Sequence, residues 1–133
     1  MKISKAIRTS KKNDLFISLG TNDLVSNSPS KAKGDFVNVI LAILGENPNM
    51  KIHIIETVKP TNKGKEKLTV ESVIEYNKLI KEYADSKGFE YITWPEEMFN
   101  DDGSLKDKYC ADELTHLTPE AYKLLVSKIA YKD

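Results

Sequence analysis

With Cys110 as its only cysteine, the chain cannot form an internal disulfide, so a packed core must hold the fold. The sequence also lacks any excess of charge. Its 20 basic and 20 acidic residues cancel, so no global field points to nucleic acid or to an anionic membrane. Long hydrophobic runs are missing too. The longest, Phe36 to Leu44, is interrupted by Asn38 and falls far short of the roughly 20 residues that span a bilayer. Met1 is followed by Lys2, Lys5, Arg8 and Lys11 with no apolar block between them, so no secretory signal is legible. A cytoplasmic location follows if Met1 is the true start, and localisation stays open if a further piece precedes it. Repeats, low-complexity tracts and linkers are absent, and 133 residues suit a single domain able to bury roughly two thirds of its unfolded surface.

What is present is a strand and helix alternation. Residues 2–11 place Ile3, Ala6 and Ile7 on one side of a helical wheel, a short amphipathic helix that must pack on something to persist. Leu15 to Leu19 reads as a strand buried on both faces and ends abruptly at Gly20. A polar loop is expected over Asn22 to Gly34, followed by a helix capped by Asp35 and closed by Gly45. Lys51 to Val58 is the second strand, ended by Pro60. A helix capped by Thr69 runs to about Ser86, with Gly88 just past its end, and Phe89 to Trp94 forms the third strand. The last helix begins at Thr118-Pro119-Glu120 with a cap, a first-turn proline and an acidic residue. This order predicts right-handed crossovers and a parallel sheet, hence an α/β fold.

In open parallel sheets ligands sit beyond the carboxyl ends of the strands, so Thr21, Asn22 and Asp23 stand where chemistry is expected, although turn-forming residues at a strand exit read equally as ordinary loop chemistry. The two histidines differ. His53 alternates with isoleucines inside a strand and receives no role. His116 lies in a loop with Asp112 and Glu113 shortly before it, and a carboxylate so placed can fix the tautomer of an imidazole acting as general base. The segment Pro95 to Thr118 is long, irregular and acidic, as functional or mobile loops are. It does not read as a calcium loop, because aligning Gly103 with the invariant glycine of an EF-hand puts Met98 at the first ligand position. A metal set of Asp101, Asp102 and His116 has no ligand spacing to support it, and no cofactor is expected. Cys110 as a nucleophile is disfavoured, since no turn exposes or activates it.

Gly20-Thr21-Asn22-Asp23, together with an acid and His116 just ahead of Leu117-Thr118-Pro119-Glu120-Ala121-Tyr122, resembles the SGNH hydrolases, the GDSL-type esterases and lipases, over essentially the whole chain. The resemblance implies a three-layer α/β/α, flavodoxin-like parallel sheet and hydrolysis of a small ester by a Ser-His-Asp/Glu mechanism. It makes Asn22, with Gly20 beside it, the oxyanion element, and His116 the base. The family's D-x-x-H register falls on Glu113 here, with the aspartate one residue further away at Asp112, so Glu113 is the favoured acid and Asp112 the alternative.

One departure from the family pattern is large. The G-D-S block that carries the family's nucleophile, and the strands around it, precede the G-x-N-D block, and these 133 residues contain neither. Ser4, Ser10, Ser18, Ser26, Ser28 and Ser30 all lack its context. The resemblance thus implies a single but truncated domain over residues 1–133 with N-terminal strands missing. Leu15 to Leu19 then becomes an apolar edge, and the expectation is that a second copy of the chain, a partner chain bearing the serine, or a rearranged N-terminal helix covers it. The alternative to an ester hydrolase is a catalytically inactive, truncated or split relative that serves binding or assembly.

Overall fold

A computed structural model describes residues 13–62, 68–111 and 117–130, and of Asn22, Ile129 and Ala130 the backbone only. The expected helix at residues 2–11 lies outside these residues. Three strands form one parallel sheet in the order β1 (Asp14–Ile17), β2 (Lys51–Ile55), β3 (Glu90–Ile92), with Asp14 opposite Lys51 and His53 opposite Glu90. Among the described residues β1 pairs with β2 alone, so it is an edge strand of the sheet they form.

Because strand side chains alternate between faces, the sheet separates two cores. On one face Ile17, Ile52 and Ile54 meet α2 (Pro29–Glu46) through Phe36, Ile40 and Ile43, and α3 (Val70–Lys87) through Val73, Tyr76, Ile80 and Ala84. On the other, Ile55 and Ile92 pack with Trp94, Met98, Leu105 and Tyr109 and with Ala121 and Leu125 of α4 (Pro119–Ala130). Helices on both faces of a parallel sheet make the three-layer α/β/α architecture, as the sequence led us to expect.

The expected loop from Asn22 to Gly34 is mostly helical. A short α1 (Thr21–Ser26) follows Gly20 directly, and α2 starts at Pro29 rather than at Asp35. Ser28 is its cap, accepting from Lys31 N at 3.2 Å, and Pro29 sits in the first turn, where its missing N–H costs nothing. Gly34 lies in open space inside the helix, and burial of Ala32 and Phe36 on either side offsets its poor propensity. Asp35 pairs with Lys31 one turn back instead of capping.

The other helix ends follow their local signals. Thr69 accepts from Ser72 N at 3.1 Å, and Gly88 closes α3 in the left-handed conformation with φ 73°. The segment after β3 is less loop-like than its composition suggests. Two 3₁₀ turns, Glu96–Met98 and Asp107–Tyr109, bury Met98, Leu105 and Tyr109 as a wall of the second core. Asp102 is used locally, its Oδ1 accepting from Ser104 N and Oγ at 2.9 and 2.6 Å. Tyr122 of α4 is 52% exposed and meets the Trp94 ring edge-on.

Candidate active site

The carboxyl end of β1 is built around a glycine whose backbone and surroundings disfavour any side chain. Gly20 has φ 133°, a region L side chains avoid, and a Cβ there would lie 2.6 Å from the Tyr76 ring. Tyr76 is buried on α3 and donates its hydroxyl to Leu19 O at 2.7 Å, and Thr57 Oγ1 donates to the same carbonyl at 3.1 Å. Two hydroxyls thus fix the last peptide before the turn, and burial raises the Tyr76 phenol well above its ordinary range, with Asp23 and Asp35 adding to the shift. It stays a neutral donor. The chain then turns into α1, with Leu24 N donating to Gly20 O at 2.9 Å.

β2 ends in a second interlock. Asn77 sits on α3 one residue after Tyr76, accepts from Thr57 N at 3.0 Å and donates to Thr57 O at 2.9 Å, so one amide replaces a missing strand partner. Next to it, Glu56 accepts from Trp94 N at 3.2 Å and Tyr91 Oη at 3.3 Å, while Trp94 Nε1 donates to Glu56 O at 2.8 Å. Burial raises the Glu56 carboxyl above its ordinary value despite the opposing pull of Trp94 N, Lys59, Tyr91 and Lys128. Lys128 of α4 reaches Thr93 O and Oγ1 at 2.5 and 2.6 Å. The exits of all three strands are therefore held in place from neighbouring elements.

Beside the β1 exit is a hollow of about 470 Å³, walled by Ser18 to Thr21, Asp23, Tyr76 and, from α2, Asp35, Phe36 and Val39. Its wall combines polar groups with the apolar side chains of Phe36 and Val39, a form suited to a small organic group. Gly20 lies in its wall, and the Asn22 backbone lies in the first turn of α1 immediately beyond. His116, Glu113 and Asp112 lie outside the described residues. Their loop is closed at its base, since Cys110 and Leu117 form an antiparallel bridge and Thr118 N donates to Tyr109 O at 3.0 Å. Among the described residues no cluster of three or more His, Cys, Asp or Glu side chains forms a metal site. Likewise, no helix among them is long and apolar enough to cross a membrane.

Over residues 6–124 the sequence matches the GDSL-like lipase/acylhydrolase family. The chain belongs to that family. Its members are ester hydrolases at the level of the family, and solved structures agree on the fold. A GDSL-like lipase from Bacteroides thetaiotaomicron is 16% identical with a TM-score of 0.73, the match covering 98% of this chain and 70% of that one. A member of the lipolytic G-D-S-L family from Veillonella parvula is 18% identical with a TM-score of 0.69, covering 98% and 70%. A peptidoglycan O-acetylesterase is 14% identical with a TM-score of 0.70, covering 96% of this chain but only 38% of that one. No curated protein sequence matches.

Beside this hollow, sequence reasoning missed Tyr76 as a determinant of the turn. Its signal was available, because Val73, Tyr76, Asn77, Ile80 and Ala84 recur at helical spacing and all are buried.

Proposed function

We propose that this chain supplies the base and the oxyanion donor of an ester hydrolase whose nucleophilic serine lies outside residues 1–133. In this reading His116 takes the proton of the serine hydroxyl as its oxygen attacks the ester carbonyl. The Asn22 amide donates to the developing oxyanion, and Glu113, or Asp112 in its place, orients the imidazole. The same proton passes from His116 to the departing alcohol as the ester C–O bond breaks. Water, activated by His116, then hydrolyses the acyl-serine.

The observation that carries the reading is the Gly20 turn, a backbone conformation that L side chains rarely adopt. It is set at a strand's carboxyl end, beside a hollow, in a chain of a lipase and acylhydrolase family. Small uncharged esters suit the hollow best, since Asp23 and Asp35 in its wall disfavour anionic substrates. The peptidoglycan O-acetylesterase among the similar structures makes acetyl esters the first to try.

The test is hydrolysis of 4-nitrophenyl acetate by the protein combined with the polypeptide that supplies the serine. His116→Ala is expected to abolish turnover, and Asn22→Ala to lower kcat about a hundredfold to a thousandfold with little change in KM. Unchanged turnover in His116→Ala overturns the assignment. The second reading, an inactive relative serving binding or assembly, is favoured by the lack of a suitable serine in the sequence. It requires that no combination with a partner yields turnover or labelling by a serine-directed fluorophosphonate.

A further inference from the structure

Glu56 carries a half-buried carboxylate to which the reaction above gives no role. It follows β2 directly, and each of its polar groups goes to the stretch that leaves β3. Its N–H donates to Ile92 O at 2.9 Å, and its C=O accepts from Trp94 Nε1 at 2.8 Å. Its carboxylate accepts from Trp94 N at 3.2 Å and from Tyr91 Oη at 3.3 Å. Both N–H groups of Trp94 therefore end on one residue. Withdrawing a carboxylate from water is unfavourable, and what this one holds in return is a single tryptophan, by main chain and ring together.

That tryptophan connects the sheet to α4. It is buried in the second core with Tyr109, Ala121 and Leu125, against which Cys110 and Leu117 also pack. Its ring meets Tyr122 edge-on, and Lys128, later in the same helix, donates to Thr93 O and Oγ1 beside it. Leu117, in turn, bridges to Cys110, and Thr118 N donates to Tyr109 O. A close-packed core transmits a displacement rather than absorbing it, so movement of the indole moves these residues. We infer that Glu56 is a positioning residue: by fixing Trp94 it sets the place of Leu117, the residue bonded to His116, and of the first turn of α4. Its effect on catalysis rests on the proposed reading of His116 as the base, whereas the mechanical role does not.

Backbone ¹⁵N relaxation on the full chain tests the mechanical role. Glu56→Met fills the same space but offers no comparable acceptor. Glu56→Gln keeps an acceptor for Trp94 N, and its amide can donate to Tyr91 Oη, whose own proton then turns to Asn77 O at 3.4 Å. Order parameters for the Leu117 and Thr118 amides are expected at about 0.85 in the wild type and in Glu56→Gln, and below about 0.6 in Glu56→Met, with Ile80 in α3 unchanged throughout. Low values already in the wild type, no fall in Glu56→Met, an equal fall at Ile80, or an equal fall in Glu56→Gln each overturn the role. If Glu56→Met does not fold, Trp94→Phe, which keeps a ring and the main-chain contact but loses the indole donor, is measured instead. A fall confined to Leu117 and Thr118 is again expected, and its absence overturns the role. Catalysis is judged separately, with 4-nitrophenyl acetate and the polypeptide that supplies the serine. Glu56→Met should lower kcat at least about tenfold with KM unchanged, and Glu56→Gln should restore it. A lowered kcat with Leu117 still rigid overturns the positioning role. A loosened Leu117 with unchanged kcat keeps that role and removes His116 from the reaction.

Discussion

The two ends of the sheet are held by different chemistry. At the carboxyl end, Tyr76, Thr57 and Asn77 fasten the strand exits with uncharged groups aimed at backbone carbonyls and amides. At the amino end, His53 on the central strand is clasped by a carboxylate from each neighbour, Nε2 lying 2.7 Å from Asp14 Oδ1 and Nδ1 2.6 Å from Glu90 Oε1. A neutral imidazole has one N–H and can satisfy one of these contacts, so the pair of short distances calls for the imidazolium. The β1 and β2 exit backbones are thus held at Leu19 and Thr57 by uncharged side chains, whereas the clasp at the amino end depends on the charge of His53. A site at a strand exit needs a fixed backbone, and neutral hydrogen bonds give that over the widest range of conditions.

The strongest way to break this contrast is at the glycine. Gly20→Ala forces a side chain into a disfavoured φ and against the Tyr76 ring at 2.6 Å, and strain plus overpacking should cost about 3 kcal/mol, read from the urea midpoint. A midpoint within error of wild type would show that the turn relaxes freely. Next comes Asn77→Ala, which leaves Thr57 N and O buried without their amide. The expected loss is about 2 kcal/mol, nearly constant between pH 5 and 9, and a pH-dependent loss would contradict the neutral character assigned to this end.

His53→Gln sharpens the other half. Burial pulls the His53 value down, but hydrogen bonds and charge from Asp14 and Glu90 outweigh it and leave it raised above 6.5. A raised histidine stabilises the fold fully below the unfolded value and loses that contribution as the pH climbs through the folded one. Wild type should therefore exceed His53→Gln by no more than about 1 kcal/mol at pH 5.5, after allowance for solvent screening, with the gap closing above pH 6.5. An NMR titration of the ring protons checks the direction independently.

Glu56→Gln should have the smallest effect, a few tenths of a kcal/mol by the same screened scale. Its sign is opposite to that of a paired carboxylate. The Glu56 carboxyl is raised from 4.5 mainly by burial, so wild type is favoured while the group is protonated and loses ground to the glutamine as the pH rises through the folded value. Denaturation midpoints of both proteins from pH 4 to 8 test this, and a difference that moves the other way would assign Glu56 to ionic pairing.

Much of the fold was legible because its signals are local. Thr69 and Gly88 bracket α3 as capping chemistry requires, and the alternation of strands and helices gave the parallel sheet. The start of α2 was misread because Asp35 and Ser28 are both competent caps, and the choice between them is made by Ala32 and Phe36 packing under the sheet. At the site, Gly20 and Asn22 stood out by motif. Tyr76 did not, since its contact with Leu19 spans 57 positions along the chain. His53 was passed over for a similar reason, because its two carboxylates come from strands distant in sequence.

The residues by themselves determined the three strands, the three longer helices, their order and the family, because periodicity, caps and a short motif are properties of neighbours along the chain. Which tyrosine crowds the glycine, which carboxylates charge the histidine, and which described strand lies at the edge of the sheet were decided only when the chain closed on itself. Those outcomes depend on the register of β1 against β2 and on the placement of α3 across the sheet, which local signals do not encode.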